Sequence, residues 1–314
     1  MTLACVFPGQ GSQYVGMGKD LYERYKVARE VFAEADAILG FPLSRLCFEG
    51  PASLLSQTMN TQPAVLTVSV ACWQVYLNQG GRKPSAVAGH SLGEFSALVA
   101  AGALDFPTAL RLVRRRGELM QEAVPLGEGG MLALLGLPAE KLERVLEAGK
   151  KAGVVEVANY NCPGQIVLSG HISALEAAAQ AARAEGAKKT VLLAVSGPFH
   201  SSLMRRAAEL FAQELEQVTI KKPVLPVVLN CTADYAYRAS EIKKALMRQM
   251  TSPVRWEESV RRLVKDGVKT FVEIGPGKVL TGLIRRIHAS ATCLNVEDEA
   301  SLRHTLRVLT EGEG

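Results

Sequence analysis

The order in which apolar runs and amphipathic stretches follow one another changes twice along these 314 residues, and that change limits the fold more than any single motif. The run LACVF at 3–7 reads as a buried strand, followed by the glycine-rich turn PGQGSQ. A helix is expected over 17–39, where Leu21, Tyr25, Ala28, Phe32, Ala35 and Leu39 recur at steps of three and four. Further helices are expected at 62–78, 92–101 and 106–122, with a strand at 85–89, SAVAG. Short apolar strands alternating with amphipathic helices belong to a mostly parallel α/β sheet. Between 130 and 195 the order becomes strand 130–137, helix 138–150, strand 154–159, strand 165–169, helix 172–186 and strand 189–195. That βαββαβ series is ferredoxin-like. The first pattern then resumes with helix 201–217, strand 224–230, helices 240–250 and 254–266, strand 269–274, helix 278–287, strand 292–296 and helix 298–310. A discontinuous α/β domain, 1–126 and 197–314, is therefore expected to carry a ferredoxin-like insertion at 127–196, hinged at PLGEGG and VSGP.

Composition narrows the function class. Hydrophobic residues make up 48% and charged residues 21%, the balance of a globular enzyme. No apolar stretch approaches the ~20 residues of a membrane span, and the first residues read as a core strand rather than a secretory signal, so a cytoplasmic location is expected. The six cysteines stand singly among apolar residues, which predicts buried free thiols. No Cys/His spacing predicts a metal site, and the phosphate-loop pattern G-x-x-x-x-G-K-[ST] is absent, which disfavours nucleotide binding. The net charge of +5 is spread over doublets such as Lys188–Lys189, Arg205–Arg206 and Arg285–Arg286, and aromatic residues are only 6%. That pattern disfavours nucleic acid and is compatible with an acidic partner.

The stretch GHSLGEFSAL, 89–98, sets Ser91 in a G-x-S-x-G pattern between an apolar strand and an alanine-rich helix. This strand–turn–helix setting exposes a serine hydroxyl in α/β hydrolases, so the larger domain is read as α/β-hydrolase-like. Serine with Glu94 three residues later is equally a helix capping box, and the motif leaves both readings open. A serine nucleophile needs a base. Of five histidines, His90 adjoins Ser91 and should diverge from it, His171 lies in the insertion, and His288 and His304 lie on or beside late amphipathic helices. His200, in SGPFHSSLM, lies at the junction of the two domains and is the positional candidate. No acid between Ser91 and His200 stands out as an orienting group, although a backbone carbonyl can serve the same purpose. The loop FPGQGSQ offers backbone N–H groups suited to an oxyanion, or is a plain strand–helix turn. In RRRGELMQ most arginines of the run should be solvated; one turned inward beside an active serine would be a carboxylate receptor.

Taken together, FPGQGSQ, NTQPA, GHSLGEFSALVAAG, RGELMQ, ANYNCPGQIVLSG, GPFHSSLM, MTSPVRW and EIGPGKVLTGLI resemble, in order and over nearly the whole chain, the malonyl-CoA:acyl carrier protein transacylases of dissociated fatty acid synthesis. The resemblance implies Ser91 as the residue that carries the malonyl ester and His200 as general base and acid. It implies the backbone N–H groups of Gln10 and Leu92 as oxyanion hole, and Arg116, Met120 and Phe199 as substrate-binding residues. Arg116 would hold the malonyl carboxylate, Phe199 would limit room for an α-methyl branch, and the backbone carbonyl of Gln249 would orient His200. It further implies malonyl-CoA and an acidic acyl carrier protein as partners, a ping-pong reaction, no resident cofactor or metal, and a monomer. A polyketide carrier as acceptor, a serine esterase and a non-enzymatic docking subunit are the alternatives. The missing acid and the presence of Arg116 argue against the esterase.

Overall fold

The computed structural model describes residues 2–125 and 127–311. Its strands are β1 (Thr2–Phe7), β2 (Ala86–Gly89), β3 (Gly129–Leu135), β4 (Val155–Cys162), β5 (Gln165–His171), β6 (Lys189–Leu192), β7 (Val227–Val228), β8 (Tyr235–Ala236), β9 (Val268–Ile274) and β10 (Thr292–Val296). One sheet runs β10-β9-β1-β2-β7-β8 and is parallel except for the β7–β8 pair. Side chains alternate along β1: Leu3, Cys5 and Phe7 enter the large core on one face, while Ala4 and Val6 pack on the other with Ala86, Ala88 and Trp256. A sheet covered on both faces explains why these strands read as unbroken apolar runs. It extends from β1 in opposite directions, to β2 on one side and β9 on the other. At such a switch point the loops leaving the carboxyl ends of the strands part and open a crevice.

The second sheet, β4-β5-β3-β6, is antiparallel throughout, the ferredoxin-like order expected from the sequence. Leu132, Leu134 and Leu168 on one face bury Val145, Leu146, Leu175 and Ala178 of the helices Leu142–Lys150 and Ile172–Ala184. Met131, Ala133 and Val167 on the other face join the large core, so the insertion lies against the main sheet's domain. A bridge between Asn159 and Val254 ties them together, with Val254 N–H donating to Ala158 O at 2.8 Å. The expected boundary at residue 126 falls outside the described residues.

Several expectations change. The helix over 17–39 is two, Lys19–Arg24 and Lys26–Leu39, because Tyr25 takes an extended backbone (φ −116°, ψ 125°) while its hydroxyl reaches Glu299 at 2.5 Å. The helix expected from 62 begins at Thr58 and runs through Pro63 to Asn78. Pro63 has no N–H for Met59 O, and Arg114 Nη1 donates to that carbonyl instead, at 3.1 Å. The strand expected over 224–230 contracts to Val227–Val228, because Pro223 and Pro226, both on its N-terminal side, cannot donate to a ladder. The short helices Leu43–Glu49 and Ala52–Leu55, and β8, were not legible from periodicity. All six thiols are unpaired; four are buried, whereas Cys231 and Cys293 are only half-buried.

Candidate active site

Ser91 follows the end of β2, in a left-handed backbone conformation (φ 50°) that few residues other than glycine adopt. The glycines around it are required by close approach. A Cβ on Gly93 would lie 2.0 Å from Phe7 O, and one on Gly89 would lie 1.9 Å from Gly93 O. The elbow is thus pressed against the end of β1. The capping-box reading fails here: the helix starts at Gly93, Leu92 is its cap residue, and no side chain caps it. Glu94 is completely buried and accepts the backbone N–H of Asn230 at 2.6 Å.

The Ser91 hydroxyl instead lies 2.7 Å from His200 Nε2. His200 is buried, also with positive φ (59°), in the loop that leaves the insertion. Its Nδ1 lies 2.9 Å from Gln249 O and 3.2 Å from Ser252 O. Carbonyl oxygens only accept, so Nδ1 carries the proton and the Nε2 lone pair faces Ser91. Burial and the neighbouring Arg116 guanidinium push the His200 pKa down to about 3, which keeps the ring neutral and able to take a proton. Two main-chain carbonyls thus do the orienting for which no acid was found. Of the other histidines, His90 turns away to Asn161 Oδ1 at 2.8 Å, and His171 accepts the Val154 N–H at 3.1 Å inside the insertion. His288 and His304 bond locally to Ser290 and Arg307.

Arg114, Arg115 and Arg116 lie on the helix Phe106–Glu122, whose 100° step allows one of the three to face inward. Arg114 and Arg115 pair with Glu118 on the outer side. Arg116 is 1% exposed and donates to Gln62 Oε1 at 2.7 Å, Gln249 Oε1 at 2.9 Å and Ser91 Oγ at 3.2 Å. Burial lowers its pKa to about 10, with Glu94 opposing, so it stays cationic near neutrality. Burial likewise raises Glu94 to about 7, against the Asn230 N–H and the Arg116 charge.

A cavity of about 180 Å3 opens over Ser91, with Gln10, Leu92, Arg116, Met120, Phe199 and His200 in its wall. The insertion contributes Met131, Val167 and Leu193 from above, and the helix Val279–Ile287 contributes Val279 and Leu283. The Gln10 side chain is held by Thr58 Oγ1 at 3.2 Å, and Gln62 Nε2 reaches Met120 Sδ at 3.5 Å. Every expected site residue is therefore gathered here, Gln249 through its carbonyl. Gln62 and Asn230 were not singled out from the sequence. Gln62 lay in view inside NTQPA, but Asn230 follows an unremarkable apolar run. Among the described residues no group of three or more His, Cys, Asp or Glu could hold a metal, and no helix is long and apolar enough to cross a membrane.

A neutral imidazole on a serine hydroxyl, beside a buried cation, can drive attack on an acyl group. Comparison with known proteins agrees. Residues 4–304 match the family described as acyl transferase domain. The chain is 48% identical over 310 residues to the malonyl CoA-acyl carrier protein transacylase of Bacillus subtilis strain 168, covering 98% of each. It superposes with a TM-score of 0.94 on the acyl carrier protein S-malonyltransferase of Vibrio cholerae, at 45% identity, covering 97% of this chain and 99% of that one. The TM-score is 0.96, at 46% identity and covering 98% and 100%, for a malonyl-transacylase solved in complex with its type II PKS acyl-carrier protein. The chain is an acyltransferase and belongs to the malonyl CoA-acyl carrier protein transacylase family.

Proposed function

We propose that this enzyme moves a malonyl group from malonyl-CoA to the phosphopantetheine thiol of an acyl carrier protein by way of an ester on Ser91. The observation that carries the reading is that one hydroxyl is shared by a neutral His200, 2.7 Å away, and a buried Arg116, 3.2 Å away. His200 Nε2 takes the Ser91 proton as Oγ bonds to the thioester carbon, and the negative oxygen rests on the Gln10 and Leu92 amides. The C–S bond then breaks and His200 returns the proton to the coenzyme A sulfur. The carrier thiol repeats the sequence in reverse, losing its proton to His200 and displacing Ser91 Oγ. A positioned base contributes ~10²–10⁴-fold and an oxyanion donor ~10²–10³-fold. Arg116, with its fork fixed by Gln62 and Gln249, receives the free malonyl carboxylate, while Met120 and Phe199 shape the wall around the acyl chain. The chemistry needs no resident cofactor, because coenzyme A and the carrier bring the thiols.

The carrier as partner is supported by the names of the relatives and by the relative solved with its own carrier. The doublets Lys188–Lys189, Arg205–Arg206 and Arg285–Arg286 are all exposed and suit an acidic partner. For this reaction we divide the chain into a catalytic domain, 1–126 with 197–314, and a roof, 127–196. The insertion's separate core and its lining of the cavity support that division.

Intact-protein mass spectrometry tests the reading. Wild type mixed with malonyl-CoA should gain one malonyl group, lose it on adding holo carrier protein, and gain less acetyl or methylmalonyl. Ser91→Ala should gain nothing. Absence of an adduct on wild type, or its persistence in Ser91→Ala, would overturn the proposal. Comparing discharge onto a fatty-acid carrier and onto a polyketide carrier decides the acceptor.

A further inference from the structure

Ser91 is held in a conformation that costs free energy, and its own backbone says what holds it. Such strain persists only where the surroundings over-determine it. Two side chains grip the main chain of this one residue. Gln249 Nε2 donates to Ser91 O at 3.0 Å, and Asn230 Oδ1 accepts the Ser91 N–H at 2.6 Å. Asn230 is 1% exposed and all of its polar groups are engaged. Its Nδ2 donates to Gly89 O at 2.6 Å, its N–H donates to Glu94 Oε2 at 2.6 Å, and its carbonyl accepts the Arg255 N–H at 3.1 Å. One planar amide thus spans the turn, accepting on its serine side and donating on its strand side. Only a side chain with both functions fits: aspartate would set a carboxylate oxygen against Gly89 O, and leucine would leave both backbone groups orphaned.

We infer that Asn230 is the positioning residue of the nucleophile: by clasping Gly89 O and Ser91 N–H it pins the strained elbow and withholds the Ser91 amide from the oxyanion pocket. Two consequences follow from the geometry. The elbow's contribution to the oxyanion hole comes from Leu92, because the adjacent Ser91 donor is already committed. The anchor reaches back through Glu94, on the first turn of the helix that follows Ser91, so the helix, the turn and the end of β7 move as one piece. The role differs from that of a core residue because it acts on where Oγ sits and leaves substrate binding and the charge state of His200 alone.

The inference rests on the Ser91 ester, and the test separates the two. Rapid-quench mass spectrometry of Asn230→Ala with malonyl-CoA reads two quantities: the fraction of Ser91 finally acylated and the rate at which it is acylated. Asn230→Ala is expected to reach the wild-type fraction at a rate lowered about 10–100-fold, in proportion to the loss of one buried hydrogen-bonded clasp, with KM for malonyl-CoA changed less than about threefold. A normal rate in the acylated fraction, whether that fraction is full or reduced, would assign Asn230 a structural role only and overturn the inference. If Asn230→Ala does not fold, the isosteric Asn230→Asp, which keeps the acceptor and loses the donor, is read in the same way. Failure of wild type to acylate would instead sink the Ser91 reading itself.

Discussion

Under the proposed function, replacing Arg116 by alanine should separate recognition of the cargo from the chemistry performed on it. The guanidinium is buried, its Nη1 and Nη2 are held by Gln62 and Gln249, and Nη2 is 3.2 Å from the attacking oxygen. A charge-assisted bond in such a site is worth ~1.5–3 kcal/mol, roughly 10–150-fold in kcat/KM. The substitution does more than remove that bond, since Gln249 also carries the carbonyl that orients His200, and Glu94 loses the cation beside it. Those losses fall equally on malonyl-CoA and acetyl-CoA. The ratio of the two kcat/KM values therefore isolates the carboxylate interaction, and it should collapse by the 10–150-fold above, with acetyl transfer reduced less or improved. A second signature has a definite sign. Burial and the Arg116 cation together hold the His200 pKa low; with the cation gone burial remains, so the acid limb of kcat/KM should move to higher pH. Stopped assays with each thioester, run from pH 3 to 8 at constant ionic strength, read both effects. A variant that keeps the wild-type malonyl-to-acetyl ratio would refute the assignment, whatever its absolute rate.

Three other outcomes are expected. Phe199→Ala enlarges the wall beside His200 and should raise the methylmalonyl-to-malonyl ratio of kcat/KM by at least about fivefold, from ~1–3 kcal/mol per methylene-sized group; an unchanged ratio removes Phe199 from selectivity. Glu273 is buried and accepts the N–H groups of Leu280 and Thr281 at 3.0 and 2.7 Å, at the start of the helix that brings Val279 and Leu283 to the cavity. Glu273→Ala orphans both donors and should lower unfolding stability in urea by ~1–3 kcal/mol for each, which an unshifted midpoint would contradict. His200 is neutral when folded, with its pKa moved from 6.5 to about 3, so the unfolded chain binds the extra proton between those values. Stability from this group is full above 6.5 and falls by ~1.4 kcal/mol per pH unit as pH drops through that window. His200→Gln should lose that component, and a stability profile parallel to wild type would count against a neutral buried imidazole.

The helix Phe106–Glu122 shows what contiguous residues determine by themselves: Asp105 caps Thr108 N–H at 2.8 Å, proline follows at the start, and the apolar period does the rest. The same local logic predicted most strands of both sheets and the ferredoxin-like order, because period and turn chemistry act over a few residues. It failed at Tyr25, whose extended backbone interrupts a helix that the period alone would continue, and at β7, where two prolines shorten an apolar run. The site depended on distance. Ser91 as cap and Ser91 beside a base have the same neighbours in sequence; only the fold brings a histidine 109 residues away to 2.7 Å from its hydroxyl. Arg116 is one of three consecutive arginines, and only burial against Gln62 and Gln249 selects it. Asn230 gave no local signal, because its amide acquires meaning only when β7 lies beside β2. Elements could be read from the chain because short-range forces make them, whereas the site needed the tertiary structure because its contacts join residues that only long-range packing brings together.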